Sequence, residues 1–419
     1  MKKFILFFLL LTCVLPLFAS EDINLAPYES VVKENYVPTS SIGSLPLQYA
    51  VSQNPSSLVN SGLIIQFPHV TATVYHLSKV MQNPKAAEAI SRLTKFNYSN
   101  AKKDILLILA SLLEVAGRGH SYIAIVDAGF GVAAKGLGLS VDAQVAVHSM
   151  PKIVNKETGE LYDGILNLTT IGVVPELNAQ ALFAYSQRLY EKNDGSFYLD
   201  LGVSTGLKIR VFSEQVSAKD FTSGDFSLDD VKFFGGWTIP INFSSTVGFL
   251  KGNLELSVAA NNINIAKYVG AYGLNSFTGT KNLIGGIFGS SSEQIKWNTP
   301  FELNVSAVYN PHLKLINPVI RADFFDIIGY IRDDLAKGKK FAELFKHLNI
   351  QANIRLLEAT NVLDAQVAYK FGYPEFGLSI GAYGSKIQVL YGWTDSSSNH
   401  GEKPVDYFSI RVNLGFDKN

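Results

Sequence analysis

Tyr407-Phe-Ser-Ile-Arg-Val-Asn-Leu-Gly-Phe416 decides how this chain is read. Phe408, Ile410, Val412, Leu414 and Phe416 alternate with Tyr407, Ser409, Arg411, Asn413 and Gly415. Period 2 puts the two sets on opposite faces of a strand. One face is wholly apolar; the other is polar or small. The segments before it repeat the pattern. Ile350, Ala352, Ile354 and Leu356 alternate with Gln351, Asn353 and Arg355. Ala365, Val367, Tyr369 and Phe371 alternate with Gln366, Ala368 and Lys370, and Ile387, Val389, Tyr391 and Trp393 with Lys386, Gln388 and Gly392. The question such a run of strands poses is which face meets an oily phase.

Bulk properties narrow the answer. At 419 residues the chain is long for one hydrophobic core. Lys2 and Lys3 precede an apolar run from Phe4 to Phe18 and then Ala19-Ser20, the pattern of a secretory signal over residues 1–20. That run is short of the roughly 20 residues a spanning helix needs. Cys13 is the sole cysteine and lies inside the signal, so the mature chain has no disulfide framework and no thiolate metal site. Leu10-Leu-Thr-Cys13 also reads as a loose lipobox, which leaves lipidation at Cys13 open at this point. Removing Lys2 and Lys3 from the 36 basic residues leaves 34 against 36 acidic ones, a formal charge of −2. Near-neutrality without a basic block argues against nucleic acid as a partner. An exported chain without a long apolar run can still cross a bilayer as a closed barrel, because closure satisfies every backbone group.

Taken in order, residues 21–60 lack a clear period and carry Pro27, Pro38, Pro46 and Pro55, which predicts an irregular N-terminal segment. Gly62 to Phe67 predicts a short strand ended by Pro68. Helical signals follow over about 71–117: Thr71 as the cap of a helix to about Met81, Pro84 opening a second, and Ser99 capping a third with an apolar stripe through Leu113. From Tyr122 onward the period is 2 nearly to the end. The tally is 14 to 16 strands, many about 9 to 12 residues long, which suits a tilted bilayer crossing. Long connections fall at about 213–239, 263–300, 327–348 and 396–405, always an even number of strands apart, so they emerge on one side. Tight turns such as Lys251-Gly252 and Gly384-Ser385 fall on the other, the asymmetry of outer-membrane barrels.

In this reading the polar strand face is the lumen. A cation facing lipid at mid-depth costs roughly 2–4 kcal/mol, so Asp200, Lys208, Arg210, Arg321, Asp323, Arg355, Lys370 and Arg411 should point inward. They can pair with one another to fill the barrel, or meet an anionic head group. Tyr391, Trp393, Phe408 and Phe416 read as interfacial anchors. Catalytic signals are weak. Gly129-Phe-Gly-Val-Ala-Ala134 has the letters of a dinucleotide fingerprint, but an alternating strand follows where a helix should open. The seven histidines have no G-x-S-x-G or H-E-x-x-H partner. No metal, cofactor or enzymatic role is expected.

A signal peptide, a small-residue segment ending in Gln53-Asn-Pro-Ser-Ser-Leu58 and a barrel of about 14 strands resemble the FadL-type outer-membrane long-chain fatty-acid transporters. Asp364 to Gly392 is also similar to a related TraF-like family. The resemblance implies an all-β transmembrane barrel over 61–419, a hatch over 21–60 that plugs it, and a short helical insert. Asn54, Pro55, Ser56 and Ser57 match the hatch motif, with serines where alanine or glycine is usual. Ile42, Leu45, Leu47, Val51 and Leu58 are then candidates to line a pocket for a hydrophobic ligand such as a fatty acid. The implied partners are the outer-membrane bilayer and the barrel-assembly machinery. A porin-like channel for polar nutrients and a surface adhesin or structural barrel stay open beside this reading.

Overall fold

The computed structural model describes residues 46–418 apart from 95–100, 117–120, 156–159, 162–167, 224–226, 266–267, 290–293, 339–340, 358–361, 383 and 396–403. The signal region with Cys13, residues 21–45 of the N-terminal segment with Ile42 and Leu45, and the Ser99 cap lie outside the described residues.

Fourteen antiparallel strands close on themselves. In chain order they are β1 (Leu63–Tyr75), β2 (Ser121–Ala134), β3 (Leu137–Pro151), β4 (Ile171–Glu191), β5 (Phe197–Ser213), β6 (Ile241–Phe249) and β7 (Leu254–Asn261). The second half comprises β8 (Glu302–Tyr309), β9 (Ile316–Phe324), β10 (Leu348–Leu356), β11 (Leu363–Lys370), β12 (Tyr373–Ala382), β13 (Ser385–Asp395) and β14 (Pro404–Lys418). Each pairs with its sequence neighbours, and β14 returns to β1 with Val412 opposite Val70 and Arg411 opposite Thr71. Closure leaves no free edge.

Burial along the strands is inverted relative to a water-soluble protein. On β14, Ile410, Val412, Leu414 and Phe416 are exposed while Ser409, Arg411 and Asn413 are buried. The same holds on β10, where Ile350 and Ile354 are exposed and Asn349, Gln351 and Asn353 buried, and on β3, where Leu137, Leu139 and Val145 are exposed and Ser140 and Gln144 buried. An apolar band of this kind is stable against hydrocarbon, not against water.

One strand differs from the sequence expectation. Pro68 does not end β1, and Thr71 caps no helix. The strand runs on to Tyr75, with a register shift between Gln66 and His69. A proline that cannot donate to the ladder is tolerated at such an irregularity. Beyond it the β-branched run keeps the inside–outside alternation, with Thr71 and Thr73 buried and Val70 exposed.

The long connections do share one end, opposite the tight turns at Lys135-Gly136, Lys251-Gly252 and Gly384. Between β1 and β2, on that side, lie three helices over 77–116, the last spanning 101–116. Val80, Ala86, Leu112 and Leu113 of this insert pack on Ile123, Ile171 and Val173 at the rim. Two of the connections are more ordered than their sequences suggest. The strand Lys232–Thr238 pairs with β5 and with Ala271–Thr278, which in turn pairs with Gln294–Asn298. Phe233, Phe234, Tyr272 and Leu274 of this overhang are buried, and Gly235-Gly236 hides its alternation from sequence reading.

Candidate functional site

The described part of the N-terminal segment is folded inside the barrel. It consists of α1 (Pro46–Gln53) and a 3-10 turn, Pro55–Leu58. Leu47 and Val51 fall on one face of α1 by their spacing, and with Leu58 of the turn they are almost fully buried, against Ala133, Leu182 and Ala184 of β2 and β4. Each such burial stabilises by roughly 1.5–3 kcal/mol. Close approach requires the wall to lack side chains. A Cβ at Gly202 of β5 would fall on the backbone of Pro55 and Ser56, and one at Gly138 of β3 would press on Val51 and Leu58. These glycines make a seat.

Polar contacts carry the segment across to the other wall. The Ser56 amide donates to Ser244 Oγ at 2.7 Å, and Ser56 Oγ lies 2.8 Å from Thr246 Oγ1, both on β6. Asn261 of β7 donates to Gln53 Oε1 at 2.7 Å, and Gln48 Nε2 donates to His69 Nδ1 of β1 at 2.9 Å. Opposite, the Arg321 guanidinium of β9 lies 4.7 Å from the centre of the Tyr49 ring. Burial pushes the Tyr49 hydroxyl up to about 12, opposed by that guanidinium, so it stays a neutral phenol. At the exit, Arg188 Nη2 donates to Asn60 Oδ1 at 2.8 Å.

Above the polar face of α1 lies a cavity of about 300 Å³. Gln48, Tyr49, Ser52 and Gln53 form its floor; Asp142, Lys208 and Glu302 stand on its wall; Tyr272, Phe325, Phe371 and His347 cover it from the long-loop side. Space of this size suits a small molecule.

The residues singled out in sequence fall into three groups. Asn54, Pro55 and Ser56 are buried in the turn, where Asn54 Oδ1 accepts from Ser56 Oγ at 2.8 Å; Ser57 is exposed and donates to Asn54 O. Leu47, Val51 and Leu58 pack on the wall and do not line the cavity. All eight charges expected in the lumen point inward: Asp200 pairs with Arg188 at 2.8 Å, Arg210 with Glu176 at 2.6 Å, Arg321 with Asp323 at 2.9 Å, Arg355 with Asp364 at 3.4 Å and Lys370 with Glu375 at 3.5 Å, while Arg411 donates to Gln388 at 3.0 Å and Lys208 lines the cavity. Sequence reading missed the glycine seat, the β6 hydroxyls and the cavity wall residue Glu302. Only the inward parity of Gly202, Ser244 and Thr246 would have pointed to them. Among the described residues no group of three or more His, Cys, Asp or Glu is placed to hold a metal.

No protein-family model matches the sequence, and no curated protein matches it. Among solved structures, a Pseudomonas aeruginosa FadL homologue is similar over 90% of this chain and 95% of its own, at 9% identity and a TM-score of 0.38. The P. putida toluene transporter TodX is similar over 88% and 93%, at 9% identity and a TM-score of 0.36. The Salmonella typhi outer membrane phospholipase is similar over 84% and 90%, at 11% identity and a TM-score of 0.25. Likenesses this loose say nothing of cargo or chemistry.

Proposed function

We propose that the protein is an outer-membrane channel whose N-terminal segment acts as a hatch, and that it passes hydrophobic compounds, long-chain fatty acids above all. The observation that carries this reading is the seating of Pro46–Leu58 inside the barrel, held to both walls. A lumen occupied this way does not pass solutes by free diffusion, so a cargo must be bound and released as the segment shifts. The apolar exterior supports the membrane setting, with the tight turns in the periplasm and the long connections outside. Exposed Ile284, Phe288, Leu335 and Phe341 on those connections offer apolar surface to a hydrophobic cargo. A non-enzymatic role fits this reading.

The test is binding and uptake in reconstituted vesicles. Saturable binding of a long-chain fatty acid is expected, weakened when Asn54 and Pro55 are both replaced. Absence of saturable binding by the folded protein sinks the proposal. Charged groups on the cavity wall favour a second reading, passage of polar solutes. On that reading, deleting residues 21–60 leaves single-channel conductance unchanged; a hatch predicts a large increase.

A further inference from the structure

β5 sorts its residues by parity. Gly202, Ser204 and Arg210 are buried on the lumen side, while Val203 is exposed on the lipid side. By the same parity Ile209 and Val211 belong to the lipid side, as does Leu177, which pairs with Val211 from β4. Yet lipid is not what covers them. Val211 is buried in one cluster with Val216, Val231, Phe233 and Ile287, and Leu177, Ile209, Trp237, Phe277 and Leu283 pack against it.

The overhang continues this outer face. Trp237 pairs with Ile209 and Phe233 with Ser213, so both rings stand on the lipid side of the extended sheet, and Phe277 joins them opposite Phe233. The helix Leu283–Phe288 rests on that side. A Cβ at Gly235, which pairs with Val211, would meet Phe277, Val211 and Ile287 within 3.3 Å. Ile287 holds the helix down. Ile284 and Phe288, 75% and 48% exposed, share another face by their i,i+4 spacing. Height decides what meets them. From Leu199, just past the short link at 192–196, to Ile209 is about the 9–11 residues of a tilted crossing. Ile209 therefore sits at the outer edge of the apolar band. Trp237 beside it, stacked on Tyr268 at 4.8 Å, stands where interfacial rings gather.

We propose that the helix Leu283–Phe288 is seated in the outer leaflet, with Ile284 and Phe288 among the acyl chains just below the head groups. The patch is continuous with the lipid-facing band of β4 to β6, where Phe183, Val203 and Phe243 are exposed, and that continuity names lipid as its occupant. A connection that its sequence places in the water outside is thereby anchored, and with it Tyr272, which covers the cavity. A cargo that meets Ile284 or Phe288 then meets it from the leaflet. The inference rests on the membrane setting and on no choice of cargo.

Nitroxide labels read by electron paramagnetic resonance test it on the full chain in phospholipid vesicles. In a Cys13→Ser background, Ile284→Cys and Phe288→Cys carry the probe. Val412→Cys on the barrel's apolar band and Asp229→Cys, exposed on the overhang, serve as references. Labels at 284 and 288 are expected to collide several-fold more with oxygen than with a water-soluble nickel chelate, as at 412, and the ratio should invert at 229. Heat-modifiable gel migration confirms folding of each variant. Labels at 284 and 288 that follow 229 overturn the proposal. Spin–spin broadening between copies overturns it too, because a second chain is then the occupant. A label at 412 that also follows 229 overturns the membrane setting itself, so the two failures are told apart.

Discussion

Along β10–β14 the lumen is filled by the strands' own polar side chains; along β2–β7 it is filled by another part of the chain. In the first region Asn353 donates to Asp364 at 3.0 Å, Gln366 to Glu375 at 2.7 Å, Gln388 to Gln366 at 3.4 Å and Arg411 to Gln388 at 3.0 Å. The ladder runs from strand to strand and ends on Thr71 of β1. In the second region the inward positions include Gly138, Gly202, Ser244 and Thr246, small residues that leave room for Pro46–Leu58. Four of the strands there, β2 to β5, run from 14 to 21 residues, against 8 in β11. One wall satisfies itself, and the other is shaped to receive.

That contrast can be broken by a change expected to act on the receiving wall alone. Gly202→Leu places a side chain where Pro55 and Ser56 now lie. The segment should leave its seat while the barrel still folds, because closure depends on backbone pairing. Planar-bilayer recording should show large, persistent conductance where the parent shows little. An unchanged trace would mean that the segment does not obstruct the lumen.

Arg321 on β9 stands between the two walls, where it pairs with Asp323 of its own strand and reaches Tyr49 of α1. Arg321→Met leaves Asp323 buried without its cation, a loss of about 3–5 kcal/mol. Both the denaturation midpoint and the protease resistance of residues 46–58 should fall. If only the midpoint moves, the Tyr49 contact holds nothing.

The self-satisfied wall was largely legible in sequence, and the receiving wall was not. Alternation announces a strand whose inward residues are Asn, Gln and Arg, and the expense of placing Arg355 or Arg411 in lipid fixes which face is the lumen. Gly202 and Ser244 carry no such penalty on either face, so nothing local says that a distant segment rests on them. Leu47, Val51 and Leu58 were visible as apolar, but which surface they cover depends on contacts far away in sequence. The same limit explains β1, where Pro68 and the threonines after it look like a strand end followed by a helix start. Only pairing with β2 and β14 extends that strand to Tyr75. Parity placed the long connections on one side, yet the overhanging strands in them have no alternation to read, being buried on both faces at Phe233 and Phe234.

A smaller effect is expected from Gln366→Leu on β11. It removes the donor to Glu375 and the acceptor for Gln388, at about 1–3 kcal/mol. Urea denaturation should register the loss while conductance stays at the parent level. A rise in conductance would erase the distinction between the walls.

The smallest effect is a pH dependence at the rim, beside the seam where β1 joins β14. His76 follows β1 directly, lies buried, and has Nε2 2.8 Å from Ser121 Oγ, while its backbone amide donates to Asp406 O at 2.8 Å. Burial, then the Lys79 ammonium, lowers its pKa to about 4 despite the opposing Asp406 carboxylate. The unfolded imidazole titrates near 6.5, so the unfolded rim binds more protons between those values. Stability held in full above pH 6.5 is therefore lost as pH falls toward 4, on the order of 1 kcal/mol by pH 5.5. Hydrogen exchange of the amides around His76 and Ser78 should quicken over that range, and His76→Gln should flatten the response. Because the imidazole touches neither the polar ladder nor the seat of α1, conductance should not follow the change; if it does, the rim and the receiving wall open together.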